Sequence, residues 1–501
     1  MRIPLKDTFV RASIRKRLWM GAGAVAIFIG TLLAALIVTP TDPHDQGKVG
    51  LDFIAFYTAG RFVSEGKSAD LYDIRAVHRF QFELGKENGV DLGSAVGPWW
   101  NPPFYAWVFV PIAKFPYREA MKIWMLLNVA CAGISAAFLC AIVARAARPC
   151  LEPVTTIDDK SKFGNSTGRM PVPLGGWKSW LLAPVLMVLS TPFIHALSHG
   201  QNTCTSLLLV TMVVMLWRKD RAIAAGLVTG LLFYKPQLGT VLTAVLVLSL
   251  GWRTLIGIGI TGILLLIASL LLPGSLHDFL VQMPRNLHFV QCDVPYLWDR
   301  HVTYKAFWRL LLQGMDAGEP TWAVTILSSL CQLAVGAGLL WAALRVKKFA
   351  STPQRPMSDI VADAKSRRDR LIAAAIAATP LLMPFYFDYD QLLLAIPAVL
   401  FAADILRRDR SVPINRGDVW LMRIWPAQYV WLMLNSDVAG AARIHIGSLL
   451  SVRNPLYHIN LGVLLLTGVA VLLIARTGRR REAVAIASHE FTDVEHRLTA
   501  A

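Results

Sequence analysis

A chain of 501 residues that is 55% hydrophobic and carries 16 Trp, with a mean hydropathy of +0.48, is not a soluble globular protein. Many of its apolar runs approach the ~20 residues a helix needs to cross a bilayer, and they are continuous and rich in Leu, Ala and Val. That excludes a membrane barrel, whose strands show weak alternation over about 10 residues. The net charge of +17 would suggest nucleic acid in a soluble protein. Here the basic residues cluster in short segments beside apolar spans, which is the signature of membrane topology, and no nucleic-acid motif is present.

The first apolar run, about Trp19 to Val38, follows Arg2, Lys6, Arg11, Arg15, Lys16 and Arg17. It is too long for the core of a secretion signal and lacks a small-residue cleavage site, so it reads as an uncleaved helix with a cytoplasmic N-terminus. Further spans are expected over 120–143, 180–197, 203–217, 222–234, 237–250, 254–272, 321–344, 371–385, 391–405, 418–435 and 456–475. Together they predict an all-α polytopic membrane protein with about 12 (11–13) transmembrane helices. The segment 103–115 is read as a re-entrant or interfacial helix. The basic segments 218–221, 345–370, 407–410 and the tail beginning 476-RTGRRR-481 fall on one side, taken as the cytoplasm, with both termini. Residues 1–480 form a single membrane domain and 481–501 a flexible cytoplasmic tail. Segment 145–179, polar with Gly and Pro, is a cytoplasmic loop, as is 345–370.

Two large loops, 39–102 and 273–320, lie on the external side. The first is net acidic, with nine acidic and six basic residues, and contains 50-GLDFIAFYTAGRFVSEGKSADLYD-73. Asp52 stands directly before an apolar helix-like run. It is a favoured type of N-cap, with Phe53, Phe56, Phe62 and Val63 set against lipid. It is equally a carboxylate held rigidly and partly desolvated, which suits a general base. In 99-WWNPPFYAWVFVPIAKFP-116 the prolines start a new turn, and Trp99, Trp100, Phe104, Tyr105 and Trp107 fit an aromatic interface belt or a gate over a lipid-facing groove. His199, Gln201 and Asn202 in 198-SHGQNT-203 form a polar hairpin turn or bind a sugar. Lys235, before Pro236, is costly near hydrocarbon and fits either a phosphate partner or snorkelling to the interface. Asp388 and Asp390 in 384-PFYFDYDQ-391 bind an acceptor or terminate helices.

The six cysteines (Cys131, Cys140, Cys150, Cys204, Cys292, Cys331) form no CxxC pair, so neither a disulfide framework nor a zinc site is expected. Cys292 alone falls in a large external loop, without an obvious partner there.

The order and spacing of these segments resemble glycosyltransferase family 87, multi-spanning polyprenol-phosphate-mannose-dependent α-mannosyltransferases of the GT-C fold. The matching residues are Asp52, Ala59, Gly60, Gly66, Leu71, Tyr72, Pro102, Pro103, Phe104, Pro111, Pro116, Trp124, Asn128, Gly200, Gln201, Asn202, Gly226, Gly230, Lys235 and Pro236. The resemblance covers about 50–240 well and the rest by general layout. It implies transfer of a hexose, mannose above all, from a polyprenyl-phosphate donor to a lipid or glycan acceptor on the outer face of a bacterial inner membrane. The anomeric centre inverts, and Asp52 is the base. Lys235 is the first choice for the donor phosphate, followed by Arg300, His301, Tyr304 and Lys305. That last stretch departs from the Asn and Ser that family members often carry there. His199, Gln201, Asn202, Asp388, Asp390 and Trp100 are the substrate-binding candidates. Partners are the lipid-linked donor, the acceptor and membrane lipids. No cofactor and no metal are expected, because no second carboxylate flanks Asp52 as in an Asp-x-Asp pair. The main rival is a lipid or sugar transporter without transferase activity. Two large external loops and an interfacial rather than mid-membrane carboxylate argue against it.

Overall fold

The computed structural model describes residues 52–88, 96–147, 190–294, 296–314, 316–349, 357–406, 414–434 and 461–478. The span expected over 18–38, most of 145–179 and the tail from 481 lie outside them, as does the start of the span over 180–197. The described chain is helical. Its helices are α1 Phe53–Ser64, α2 Ile74–Asn88, α3 Tyr117–Ala147, α4 Thr191–Ser198, α5 Thr203–Arg218, α6 Ala222–Leu231, α7 Pro236–Leu250, α8 Arg253–Leu270, α9 Ser275–His288, α10 Tyr304–Gln313, α11 Trp322–Phe349, α12 Met357–Leu382, α13 Ala395–Leu406, α14 Arg416–Leu434 and α15 Leu461–Thr477. Among the described residues the β contact is an isolated antiparallel bridge between His301 and Phe387.

Four described stretches are long and apolar enough to cross a membrane: Tyr117–Val143, Arg253–Leu270, Trp322–Lys347 and Asp388–Leu406. Shorter apolar helices cover Thr203–Arg218, Ala222–Tyr234, Pro236–Leu250 and Leu461–Thr477. The outward faces of α8 and α11 expose Leu255, Ile263, Leu264, Leu270, Leu330 and Leu333. Rows of that size are too apolar for water and fit lipid. The inner faces of α3, α5, α7, α12, α13 and α15 share one apolar core.

Several expectations shift. The 103–115 segment forms short 3₁₀ turns, Pro103–Phe109 and Ile112–Lys114. At about 2 Å per residue neither approaches a bilayer's width. α11 runs on to Phe349 and α12 begins at Met357, inside the segment expected as a cytoplasmic loop, because Arg and Lys are good helix formers and their charges find partners there. The aromatic rings expected against lipid turn inward. Phe53, Phe56, Phe62, Val63, Trp99 and Tyr105 are buried in a second core with Phe109, Tyr117 and Trp124. The Phe56 and Phe109 rings stack with centroids 4.8 Å apart. Each such ring gains about 1.5–3 kcal/mol by burial, so α1 folds onto the Pro103 turn and α3. Trp107 stays partly exposed and donates to the Ala268 carbonyl at 2.9 Å.

Loops 39–102 and 273–320 are tied together. Ser68 donates to the Pro273 carbonyl at 3.0 Å, and Asn286 Nδ2 donates to the Tyr72 carbonyl at 2.7 Å.

Candidate active site

Four chain segments meet at one end of the bundle: the start of α1, the α4–α5 turn, the loop 298–303 and the turn 384–394. The α4–α5 turn takes its shape from Gly200, whose φ is +68°. The Gly200 amide donates to the Leu197 carbonyl and the Gln201 amide to the Ala196 carbonyl, the pair of bonds that ends a helix at a left-handed glycine. Trp124 Nε1 clamps the turn by donating to the Gly200 carbonyl at 2.7 Å.

This turn holds Asp52 at two points. The Asp52 amide donates to the His199 carbonyl at 3.1 Å, and Gln201 Nε2 donates to Asp52 Oδ2 at 2.6 Å. Asp52 occupies the N-cap position of α1 but its side chain makes no capping hydrogen bond. The carboxylate is turned away from its own helix and toward the α4–α5 turn.

The 384–394 turn carries two buried carboxylates, each matched by a cation from another element. Asp388 takes a two-pronged contact from Arg300, Nε to Oδ2 at 3.3 Å and Nη2 to Oδ1 at 3.2 Å, and His195 Nδ1 lies 3.5 Å from Oδ2. Asp390 accepts from Lys235 Nζ at 2.8 and 3.1 Å and from Thr203 Oγ1 at 2.7 Å. Lys235 reaches it because Pro236 cannot continue the preceding turn. The chain breaks at Lys235, with φ −122° and ψ 84°, and restarts as α7. Tyr389 lies between the pairs, with Lys235 Nζ 5.5 Å and Arg300 Cζ 5.9 Å from its ring centre. Arg300 Nη1 also lies 3.4 Å from His199 Nε2. The chain of contacts from Asp52 therefore runs through His199 to Arg300, with Lys235 on the far side of Tyr389. Removing one partner of a buried pair leaves an uncompensated charge worth about 3–5 kcal/mol, so both pairs lock their elements in place.

The other candidates play different parts. Asn202 Nδ2 donates to the Tyr105 hydroxyl at 3.2 Å, and the Tyr105 ring stacks on Tyr234 at 4.3 Å. These residues floor the cluster. His301 faces the other way. Its Nδ1 accepts from the Tyr386 amide at 3.3 Å and its Nε2 lies 2.9 Å from the Tyr296 hydroxyl. It is fully buried among Tyr296, Trp298, Phe385 and Phe387. Burial lowers its pKa from 6.5 to about 3, which keeps it neutral. Tyr304 bonds to Thr467 at 2.9 Å, and Lys305 lies over Trp298 and Phe385. Burial shifts the Lys305 pKa down. Among the described residues no hydrogen bond ties Trp100 to the cluster.

Three participants escaped the sequence reading: His195, Thr203 and Tyr389. The signal was available in part. Two acids two residues apart in an apolar stretch need two cations, and Lys235 and Arg300 were already marked.

No curated protein and no solved structure matches the chain. The family model described as Glycosyltransferase family 87 matches residues 99–362, just over half of the chain. That stretch contains the α4–α5 turn, Lys235 and Arg300, while Asp52, Asp388 and Asp390 flank it. With its apolar helices and this match, the chain is a membrane glycosyltransferase and belongs to glycosyltransferase family 87.

Proposed function

We propose that the protein moves a hexose, with mannose the first candidate, from a polyprenyl-phosphate donor to a lipid or glycan acceptor. Transfer takes place at the outer face of a bacterial inner membrane, within a GT-C fold whose termini are cytoplasmic. The observation that carries this reading is the Asp52 carboxylate. It leaves its capping role unused, is gripped by Gln201, and points into a cluster that also holds Arg300.

The chemistry follows from these groups. An acceptor hydroxyl attacks C1 of the sugar and its proton passes to Asp52. The bond from C1 to the phosphate oxygen breaks, and polyprenyl phosphate leaves with the electron pair. Attack from the face opposite the leaving group inverts the anomeric centre. Charge that develops on the leaving phosphate needs fixed donors. Arg300 is the better placed of the two cations because it connects to Asp52 through His199 alone. Lys235 serves second, since it stands across Tyr389 from that chain of contacts.

The test uses purified protein in lipid, polyprenyl-phosphate mannose and a membrane lipid extract, with wild type compared to Asp52→Asn. Asparagine keeps the shape and removes the base. Transfer by wild type and a loss of about 10²–10⁴-fold in the variant, with elution and thermal unfolding unchanged, is the expected result. Equal transfer by both proteins would remove Asp52 from the chemistry. A wild type inert across a panel of lipid-phosphate sugars would overturn the donor class.

A further inference from the structure

Away from the Asp52 cluster, three side chains of different ligand chemistry converge on the external loop. α9 ends at His288 and continues into a wide helical turn, Phe289–Asp293. His288 and Cys292 are four residues apart, so both project from the same face. The chain then leaves through the 298–303 loop and α10 and returns. The Gly318 amide donates to the Cys292 carbonyl at 2.6 Å, which brings Glu319 between the other two. Cys292 Sγ lies 3.6 Å from Glu319 Oε2, and His288 Nε2 lies 3.3 Å from Glu319 Oε1. One ligand atom from each residue falls within 4.8 Å of the others.

The His288–Glu319 and Cys292–Glu319 separations, each through one carboxylate oxygen, are those of neighbouring ligands on a metal. Zinc binds His nitrogen at 2.0–2.1 Å, thiolate at 2.3 Å and carboxylate oxygen at 2.0–2.2 Å. In a tetrahedron with those bonds, neighbouring ligands lie about 3.3–3.7 Å apart. Imidazole with thiolate favours zinc and its neighbours over magnesium or calcium. His288 and Glu319 side chains are 56% and 67% exposed, so an ion reaches the site from water. The pairwise sequence distances hide it, since the third ligand returns only after the whole 298–303 loop and α10.

We propose that His288, Cys292 and Glu319 form a binding site for a zinc-like divalent cation, with the fourth position left to water. Bound metal staples the end of α9 to the segment before α11. It thereby closes the loop that carries Arg300, and closing a loop restricts the freedom of what lies inside it. The site is independent of the transferase reading, because its readout is metal binding.

The experiment uses full-length protein in detergent, stripped with chelator and titrated with cobalt(II) and then zinc. Wild type is expected to bind one cobalt per chain with a thiolate-to-cobalt charge-transfer absorption that zinc abolishes. C292S should lose that absorption and bind zinc at least about tenfold more weakly, since one of three protein bonds is gone. H288Q should keep the absorption with weakened affinity. Zinc should raise the unfolding temperature of wild type and not of C292S. None of the three side chains is part of the buried core, and unchanged elution of each variant checks that the fold is kept. Absence of the absorption in wild type, or wild-type zinc affinity in C292S, overturns the proposal.

Discussion

Asp52 and His301 show how the same property, a titratable side chain in apolar surroundings, leads to opposite roles. Asp52 is half-buried, and among the described residues its side chain accepts from Gln201 alone, at Oδ2; in the proposed reaction the carboxylate takes the acceptor proton. His301 is fully buried with both ring nitrogens engaged, and its neighbours are ring faces. The sequence marks both as candidates because residue type is all it offers at that scale. The distinction needs the distant partners that folding supplies. The role of His301 carries a pH signature. Its pKa is 6.5 ordinarily and about 3 in the folded protein, lowered by burial, with Arg300 and Lys305 acting in the same direction and Asp388 opposing. Between those values the unfolded chain binds a proton that the folded one refuses. Stability from this group is therefore full above pH 6.5 and is lost as pH falls toward 3. His301→Asn keeps an acceptor for the Tyr386 amide and cannot titrate. The unfolding temperature of wild type should fall more steeply than that of the variant over this window. Parallel curves would mean that His301 is not held neutral.

Elements meet where the sequence supplies small residues or breaks. A Cβ on Gly226 would lie 2.1 Å from the Thr254 carbonyl oxygen, and one on Gly257 would lie 2.1 Å from the Ile223 carbonyl oxygen. α6 and α8 therefore touch backbone to backbone, the contact small residues allow between membrane helices. Gly226→Val should cost about 1–3 kcal/mol or more by overpacking and lower the unfolding temperature in detergent. Gly259→Ala, with nothing near its Cβ position, should be neutral or stabilising, since alanine is favoured over glycine in a helix by about 1 kcal/mol. Equal effects of the two would deny the close contact. At this scale much was legible. Apolar runs gave α5 and α8 nearly at their bounds and the middles of α3, α11 and α15, and Pro236 gave the break that aims Lys235. What was not legible was the destination of the aromatic segment 99–116. Trp and Phe are equally at home in a lipid interface and in a core, and only the packing of α1 against it decides.

Across the whole molecule, charge separates into two ends. At one end stand Asp52, Arg300, Asp388, Lys235 and Asp390. At the other, Arg218 pairs with Asp369 at 2.8 Å, Arg368 with Asp220 at 2.6 Å, Arg370 with Asp404 at 2.8 Å, and Arg476 with Asp404 at 3.0 Å and Asp418 at 2.8 Å. These residues come from the basic segments around 218, 368 and 476, and the sequence placed those segments on one side by their Lys and Arg content alone. The structure gathers them at one end, although no pairing among them could be read from the sequence. A buried network of that kind is costly to assemble in hydrocarbon, so it fits a membrane surface, and in the proposed topology its positive excess marks that surface as the cytoplasmic one. Cys292 and Lys219, which is exposed beyond α5, then lie on opposite sides. In a chain whose other cysteines are replaced by serine, an impermeant maleimide should label Cys292 in right-side-out vesicles and leave it untouched in inverted ones. Lys219→Cys with Cys292→Ser should give the reverse pattern. Labelling of both positions from the same side would break the two-ended arrangement. Clean labelling in the reversed sense would keep the arrangement and turn the proposed transfer site toward the cytoplasm.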